Sequence, residues 1–182
     1  DSTITITKDA ATWFKGTIIQ VPRLGAAGAE SITYRAAGPW HDLERHVFKQ
    51  TWKMWDAEEE ELTHQYKSRV ILGQTADNTA QTTGATLTEI LTYAIAQGVN
   101  LVIGTIGPAV NMPFTEALDI TCAEAIRTVL RWTPDAVCWF DYSTDTPTFH
   151  CKQRSDLTAV AIDVDAGAPT HRRRGTVQHL PG

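Results

Sequence analysis

Residues 119–142 read DITCAEAIRTVLRWTPDAVCWFDY, and this segment carries strong signals for a helix followed by a strand. Thr121 and Glu124 have the spacing of a capping box, in which each side chain bonds a free backbone amide of the other residue. Apolar residues then recur on one helical face, at Ile126, Val129 and Leu130. Thr133-Pro134 predicts the end of the helix, because a residue before proline disfavours helical angles. Ala136–Tyr142 is the strand predicted after it.

The same pattern of a capped helix followed by a strand occurs about 35 residues earlier, a spacing typical of one supersecondary unit. Thr86 and Glu89 have capping-box spacing, and Gly98 suits the left-handed residue that closes a helix. The apolar stripe between them is Ile90, Leu91, Ala94 and Ile95. Val99–Ile103 is the strand predicted next. The two units therefore predict two capped helices packed on a sheet.

A β-hairpin is predicted after the second unit. Ser143–Pro147 (STDTP) has turn composition, and Thr148–Lys152 is the return strand. Ala159–Val164 is predicted to be a further strand, followed by exposed loop from Gly167.

The first forty residues are predicted to be strands. Ser2–Lys8 alternates threonine and isoleucine with period two, which is typical of a strand. Thr12–Val21 and Ser31–Ala37 are the next two strands, with Gly16 as a candidate bulge or close backbone approach. Short connections between them predict an antiparallel meander that is part of a β-barrel.

The segment between the meander and the first capped helix contains signals for both a helix and a strand. Trp40–Phe48 predicts a short amphipathic helix. The acidic run at 56–61 predicts a solvated loop or helix face, and Tyr66–Leu72 predicts a strand. The fold class is therefore α+β: a barrel or meander in residues 1–72, then in residues 73–182 the two helices on a sheet with the hairpin, leading into a possible second barrel.

Composition excludes several classes of protein. The 182 residues are 42% hydrophobic and 20% charged, which is ordinary for a globular protein. A net charge of −5 argues against specific nucleic-acid binding. No apolar run approaches the ~20 residues of a membrane span, and the first residues have no signal-peptide pattern. The start at Asp1 and the HLPG end favour a piece of a longer chain.

The sequence contains no recognisable catalytic, cofactor or metal motif. The histidines lack HxxxH spacing, and His150 and Cys151 would point to opposite faces of a strand. Glu58 and Glu61 favour a solvated run over a catalytic pair, since catalytic carboxylates normally project from separate elements. Asp141, inside a predicted strand, must face solvent, a turn donor or a partner subunit.

The three cysteines form no CxxC pair. Reduced and buried thiols, as in a cytosolic protein, are the favoured interpretation of Cys122, Cys138 and Cys151. Cys138 and Cys151 could approach each other across the predicted hairpin, but the sequence leaves their geometry open.

Three segments together resemble the baseplate hub proteins of phage and prophage tails: WFKGTIIQV, SITYRAAGPWHDLERHVF and DITCAEAIRTVLRWTPDAVCWFDYSTDTPTFHCKQR. The resemblance runs from Thr3 to about Val164. It implies a non-enzymatic virion protein, assembled in the bacterial cytoplasm, whose trimer of paired β-barrels adapts the tail tube to the central spike. The tail-tube and spike proteins are then its partners, and no cofactor is expected.

Two segments are candidate contacts between copies. The small-residue loop at Gly25 and Gly28 and the run Arg172, Arg173 and Arg174 are flexible by composition and have no evident role in a core. Two other functions stay open: a tail-associated cell-wall hydrolase, which needs a carboxylate in a cleft, and a carbohydrate-binding module built on exposed tryptophans.

Overall fold

The computed structural model describes residues 2–20, 34–56 and 61–157, without the side chains of 56 and 61–64. Its helices and strands, in chain order, are β1 (Thr3–Lys8), β2 (Ala11–Gln20), β3 (Arg35–Ala37), α1 (Pro39–Arg45), β4 (Gln50–Asp56), β5 (Glu61–Lys67), β6 (Arg69–Leu72), α2 (Thr83–Ala96), β7 (Val102–Ile106), β8 (Thr115–Leu118), α3 (Cys122–Leu130), β9 (Ala136–Asp141) and β10 (Thr148–Gln153). The predicted α+β class is confirmed.

A three-stranded mixed sheet in the order β7-β10-β9 supports the two long helices. The β9–β10 pair is the predicted hairpin, with an antiparallel register running from Thr148↔Asp141 to Gln153↔Ala136. The central strand β10 also pairs in parallel with β7. Helices α2 and α3 pack on each other, and α2 packs on β7. The prediction of two helices packed on a sheet with a hairpin is therefore confirmed.

One hydrophobic core joins the two halves of the described chain. Leu43 of α1 and Val70 and Leu72 of β6 belong to the same buried cluster as the residues of α2, α3 and β10. The β6–β8 pair adds backbone hydrogen bonds between the halves. Within the described residues, the core therefore includes side chains from both sides of residue 72.

The N-terminal strands form the predicted meander. β1 pairs with β2 and β2 with β3, all antiparallel. Within the described residues this sheet stays open at β1 and β3, so the predicted barrel is not closed there. Residues 31–33 of the predicted third strand and the predicted strand Ala159–Val164 lie outside the described residues.

Helix α2 begins one turn earlier than predicted. Its N-cap is Thr82, whose hydroxyl accepts from the Ala85 amide at 3.3 Å. Thr86 is inside the helix and donates to the Thr82 carbonyl at 3.1 Å, so the capping box predicted at Thr86 and Glu89 is wrong. The earlier start is stabilised from outside the helix, because the Thr83 amide bonds the Val110 carbonyl at 2.9 Å.

The other end of α2 and the start of α3 agree with prediction. Gly98 follows α2 with φ +94°, the left-handed conformation expected there. The Thr121 hydroxyl caps α3 by accepting from the Glu124 amide at 3.2 Å. The Thr121 cap satisfies a backbone donor at the start of α3, and the Gly98 and Val99 amides satisfy carbonyl acceptors, those of Ile95 and Ala94, at the end of α2.

Three other boundaries differ from prediction. α1 stops at Arg45 rather than Phe48, because the Phe48 amide donates to the Ile120 carbonyl at 2.8 Å. The strand predicted at Val99–Ile103 begins at Val102, since Val99 and Leu101 are buried in the connection from α2. Asp56 and Glu61, the two ends of the acidic run predicted as a loop or helix face, lie in β4 and β5, and residues 57–60 lie outside the described residues.

Replacing either N-cap threonine, Thr82 or Thr121, with alanine is expected to lower the unfolding free energy by about 1 kcal/mol, because the variant loses one side-chain bond to a helix amide. The variants are Thr82→Ala and Thr121→Ala, measured by urea denaturation. Thr88→Ala is the matched control: Thr88 lies inside α2, donates to the Gly84 carbonyl and caps no end. Equal midpoints for all three variants and the wild type would contradict the assignment of the caps.

Candidate assembly surface

The β4–β5 hairpin extends out of the core. Its strands pair in unbroken register from Gln50↔Lys67 to Asp56↔Glu61. Exposure rises along β4, from 2% at Gln50 to 40% at Met54 and 62% at Trp55. Tyr66 on β5 is also exposed, at 64%. The hairpin is therefore buried at one end and presents large apolar side chains beyond it.

Side chains fix the base of this hairpin. The buried Gln50 amide donates to the Gln74 carbonyl at 2.7 Å and accepts from the Ile71 amide at 2.8 Å. The Trp52 indole donates to the Arg69 carbonyl at 2.9 Å. These bonds satisfy buried polar groups. They also hold β4 against β6, with which it shares no sheet.

A groove lies between the hairpin and β8, with a volume of about 440 Å³. We call it the β8 groove; it is lined by Trp52, Lys53, Met54, Lys67, Ser68, Arg69 and Leu118. Met54 and the strongly exposed Leu118 give it apolar surface, and its lining also includes three cations, Lys53, Lys67 and Arg69. An exposed apolar surface with a polar rim is typical of a protein contact site.

A second groove, of about 410 Å³, lies between the hairpin and α2. We call it the α2 groove; its lining includes Phe48, Thr51, Tyr66, Glu89 and Tyr93. Tyr93 meets Phe48 edge-on, with ring centroids 5.5 Å apart, and Tyr66 at 6.0 Å. Because neighbouring strand residues face opposite sides, Thr51 faces one groove and Trp52 the other.

Two ion pairs organise the charges around the hairpin. Arg69 Nε lies 2.6 Å from Glu116 Oε1, and Lys53 Nζ lies 3.9 Å from Asp77 Oδ1. The hydrogen bond between Arg69 and Glu116 lowers the pKa of the Glu116 carboxyl and raises the pKa of Arg69. Exposed pairs contribute little to stability, and each of these pairs a cation of the β8 groove with a carboxylate outside the groove lining.

Among the described residues, Glu89 is a carboxyl group whose surroundings oppose its charge. Its Oε2 is buried and has no hydrogen-bond partner among the described residues. Burial raises the pKa of Glu89, and hydrogen bonding from Gln81 and Gln50 only partly opposes that rise. A carboxylate in such a place is destabilised relative to the neutral acid.

Glu89→Gln is expected to raise the unfolding free energy at pH 7. The folded-state pKa of Glu89 lies above the unfolded value of 4.5, so its favourable contribution is complete below that pH and is lost as pH rises through the folded pKa. Glutamine cannot ionise and avoids this loss. The check is the difference in unfolding free energy between variant and wild type across pH, which should shrink toward pH 4.5.

Glu116→Gln is the control with the opposite sign. Because the pKa of Glu116 is lowered, its contribution is present above pH 4.5 and lost as pH falls. A Glu89→Gln variant that is less stable than wild type at pH 7 and equal to it in acid would contradict the account of Glu89.

The meander carries further exposed apolar residues. Ile6 on β1 and Trp13 and Ile19 on β2 are exposed. Lys8 lies over the Trp13 ring at 4.8 Å from its centroid. The meander and the hairpin thus both present large side chains that the core does not use.

The candidate contact residues Gly25, Gly28, Arg172, Arg173 and Arg174 lie outside the described residues. So do Glu58 and the side chain of Glu61. Asp141 contacts a turn donor, one of the three predicted options: its Oδ1 accepts from the Ser143 amide at 2.8 Å. That bond lowers the pKa of Asp141.

Sequence reasoning did not place Met54 and Trp55 on a β-hairpin. A signal was present in QTWKMWD, residues 50–56, where Gln50, Trp52 and Met54 share one face of a strand. The charge of the acidic run after it predicts a solvated segment and gives no sign of the strand that begins at Glu61.

No group of three or more histidine, cysteine, aspartate or glutamate residues could hold a metal ion in the described part of the chain. Within residues 2–20, 34–56 and 61–157, no helix has the length and apolar character needed to cross a membrane. Comparisons with protein-family models, with curated proteins and with solved structures found no match to this chain.

Proposed function

We propose that this protein is a structural component of a phage tail or related injection machine, a hub that joins the tail tube to the central spike. In this function it is a homotrimer with no chemistry of its own, and its partners are tail-tube and spike proteins. The proposal combines the resemblance of three sequence segments to hub proteins with one structural observation, the exposed β4–β5 hairpin.

The hairpin supports an assembly role because Met54 and Trp55, near its outer end, expose apolar side chains. Met54 lines the β8 groove, Tyr66 lines the α2 groove, and both side chains, like that of Trp55, are exposed. Aromatic residues and methionine are enriched at subunit contacts, where they supply much of the binding energy. The same hairpin is rigidly held at Gln50 and Trp52, so its exposed end is presented in one orientation.

A cell-wall hydrolase is the second candidate, and Glu89 is the observation in its favour. A carboxyl group with a raised pKa beside a groove is a candidate general acid. Hydrolysis of a glycoside normally needs a second carboxylate within about 5–9.5 Å. Glu89 is the sole carboxylate among the described residues lining the α2 groove, so that pairing is missing from this part of the chain.

A double variant of the hairpin tests the assembly proposal. Met54→Ser with Trp55→Ser is expected to dissociate the complex in sedimentation velocity, because both side chains lose the apolar surface that a contact would bury. Val110→Ser is the matched control: Val110 is similarly exposed but lies in the connection after β7.

The outcome that would contradict the proposal is an assembly that is unchanged in the hairpin variant and in the control alike. Lysis of peptidoglycan by the wild type, lost in Glu89→Gln, would favour the hydrolase instead.

A further inference from the structure

Cys138 on β9 and Cys151 on β10 face each other directly. They are paired positions in the antiparallel register of the hairpin. Directly opposed residues in such a pair have Cα atoms about 4.5 or 5.5 Å apart, and both values fall within the range that disulfides span. The two sulfurs are 2.9 Å apart, so a small side-chain rotation would bring them to bonding distance.

The pair differs from an ordinary buried cysteine in the same protein. Cys122 on α3 is fully buried, and burial raises its pKa to about 11. In the pair, the Cys138 thiol donates to Cys151 Sγ, and this bond lowers the pKa of Cys151. The same bond raises the pKa of Cys138. The pair therefore keeps its shared proton on Cys138 and favours a thiolate at Cys151, and the thiolate is the form that reacts with disulfides.

We propose that Cys138 and Cys151 form a dithiol site that is reversibly oxidised by small disulfides of the glutathione class. Cys138 is partly exposed and Cys151 is buried, which assigns the first attack to Cys138 and the second to Cys151. Nothing in this assignment depends on the proposed function in a phage tail.

The reaction is two thiol–disulfide exchanges. Cys138 passes its proton to the Cys151 thiolate across the hydrogen bond between them, and its sulfur bonds one sulfur of the glutathione disulfide. The glutathione S–S bond breaks to release one thiolate, which takes that proton from Cys151. The Cys151 thiolate then attacks the Cys138 sulfur and displaces the second glutathione, which takes a proton from solvent. Two protein thiols are oxidised to one disulfide, and one small disulfide is reduced to two thiols.

Oxidation would close a covalent loop across the hairpin. Because β10 is the central strand of the mixed sheet, the bond would tie β9 to the strand that also pairs with β7. Closing such a loop restricts the unfolded chain, so the oxidised protein should have a higher denaturation midpoint than the reduced protein.

The test equilibrates the folded protein in glutathione buffers from fully reduced to fully oxidised, until no further change occurs. Acid quenching, maleimide labelling and intact mass then count the free thiols. The expected result is a fall from three free thiols to one, with the label remaining on Cys122 and no bound glutathione. Cys122→Ser should fall to none, and dithiothreitol should restore both paired thiols.

Single variants separate the paired site from simple surface oxidation. Cys138→Ser is expected to keep Cys151 reduced, and Cys151→Ser to carry glutathione on Cys138 without resolving it. The proposal is overturned if three thiols stay free in the most oxidising buffer, or if wild-type Cys138 retains glutathione.

Discussion

Phe149→Ala is expected to lower the free energy of unfolding by about 3–5 kcal/mol, the range for removing a large aromatic side chain from a core. Phe149 is 1% exposed on the central strand β10. Its ring meets Phe140 edge-on at 5.4 Å, and its backbone is paired with Ile103 of β7. The loss combines apolar surface returned to water with the cavity left beside α2 and α3.

Phe114→Ala is the matched control for this experiment. Phe114 is 57% exposed, so its loss should change the unfolding free energy by less than about 1 kcal/mol. Urea denaturation of both variants provides the comparison. Similar losses in the two variants would show that the mixed sheet is not the centre of the core.

Gly84→Ala is expected to destabilise the protein by about 1–3 kcal/mol, the usual cost of overpacking. Helix propensity alone predicts a gain of about 1 kcal/mol at such a position. A Cβ at Gly84, however, would collide with the Pro108 carbonyl oxygen, which is backbone and cannot rotate away. The connection after β7 also bonds Thr83, so the helix cannot easily shift.

Gly107→Ala serves as the control for Gly84→Ala. A Cβ at Gly107 would have its nearest neighbours at 3.7 Å, an ordinary contact distance. Thermal melting of the two variants compares Gly84, where a Cβ is blocked by Pro108, with Gly107, where a Cβ has room and which directly precedes Pro108. A Gly84→Ala variant that melts at or above the wild-type temperature would contradict the packing of this connection on α2.

Local sequence patterns predicted the helices and strands that are stabilised by residues close together in the chain. The Thr121 cap, the apolar face of α3 and the β9–β10 hairpin all depend on residues close together in the chain, and all formed as expected. The start of α2 did not, because Thr83 is bonded to Val110, 27 residues away. A capping pattern at Thr86 carries no information about that contact.

Local sequence patterns also could not predict which strands pair when the two strands are far apart in the chain. β6 pairs with β8, and β7 pairs in parallel with β10, across long intervening segments. Alternation predicts that a strand exists, but the partner is set by which surfaces the core brings together. The strand at Thr115–Leu118 was missed for this reason, since TEAL alone has weak strand propensity.

The candidate surface depended on a similar non-local feature. The sequence showed Trp52, Met54 and Trp55 before an acidic run, but not which of them the core would cover. The Gln50 side chain bonds the backbone of Ile71 and Gln74. These bonds bury one end of the hairpin, and the other end stays exposed. The raised pKa of Glu89 likewise follows from burial beside Gln50 and Gln81.

The mass of the full-length protein in solution, measured by light scattering over a wide concentration range, tests the assembly proposal most directly. A hub should form a closed ring, so the account predicts a trimer whose mass stays constant as concentration rises. A contact of that stability buries on the order of 1,000 Å² or more. A protein that remains monomeric at the highest concentration would contradict the proposed function.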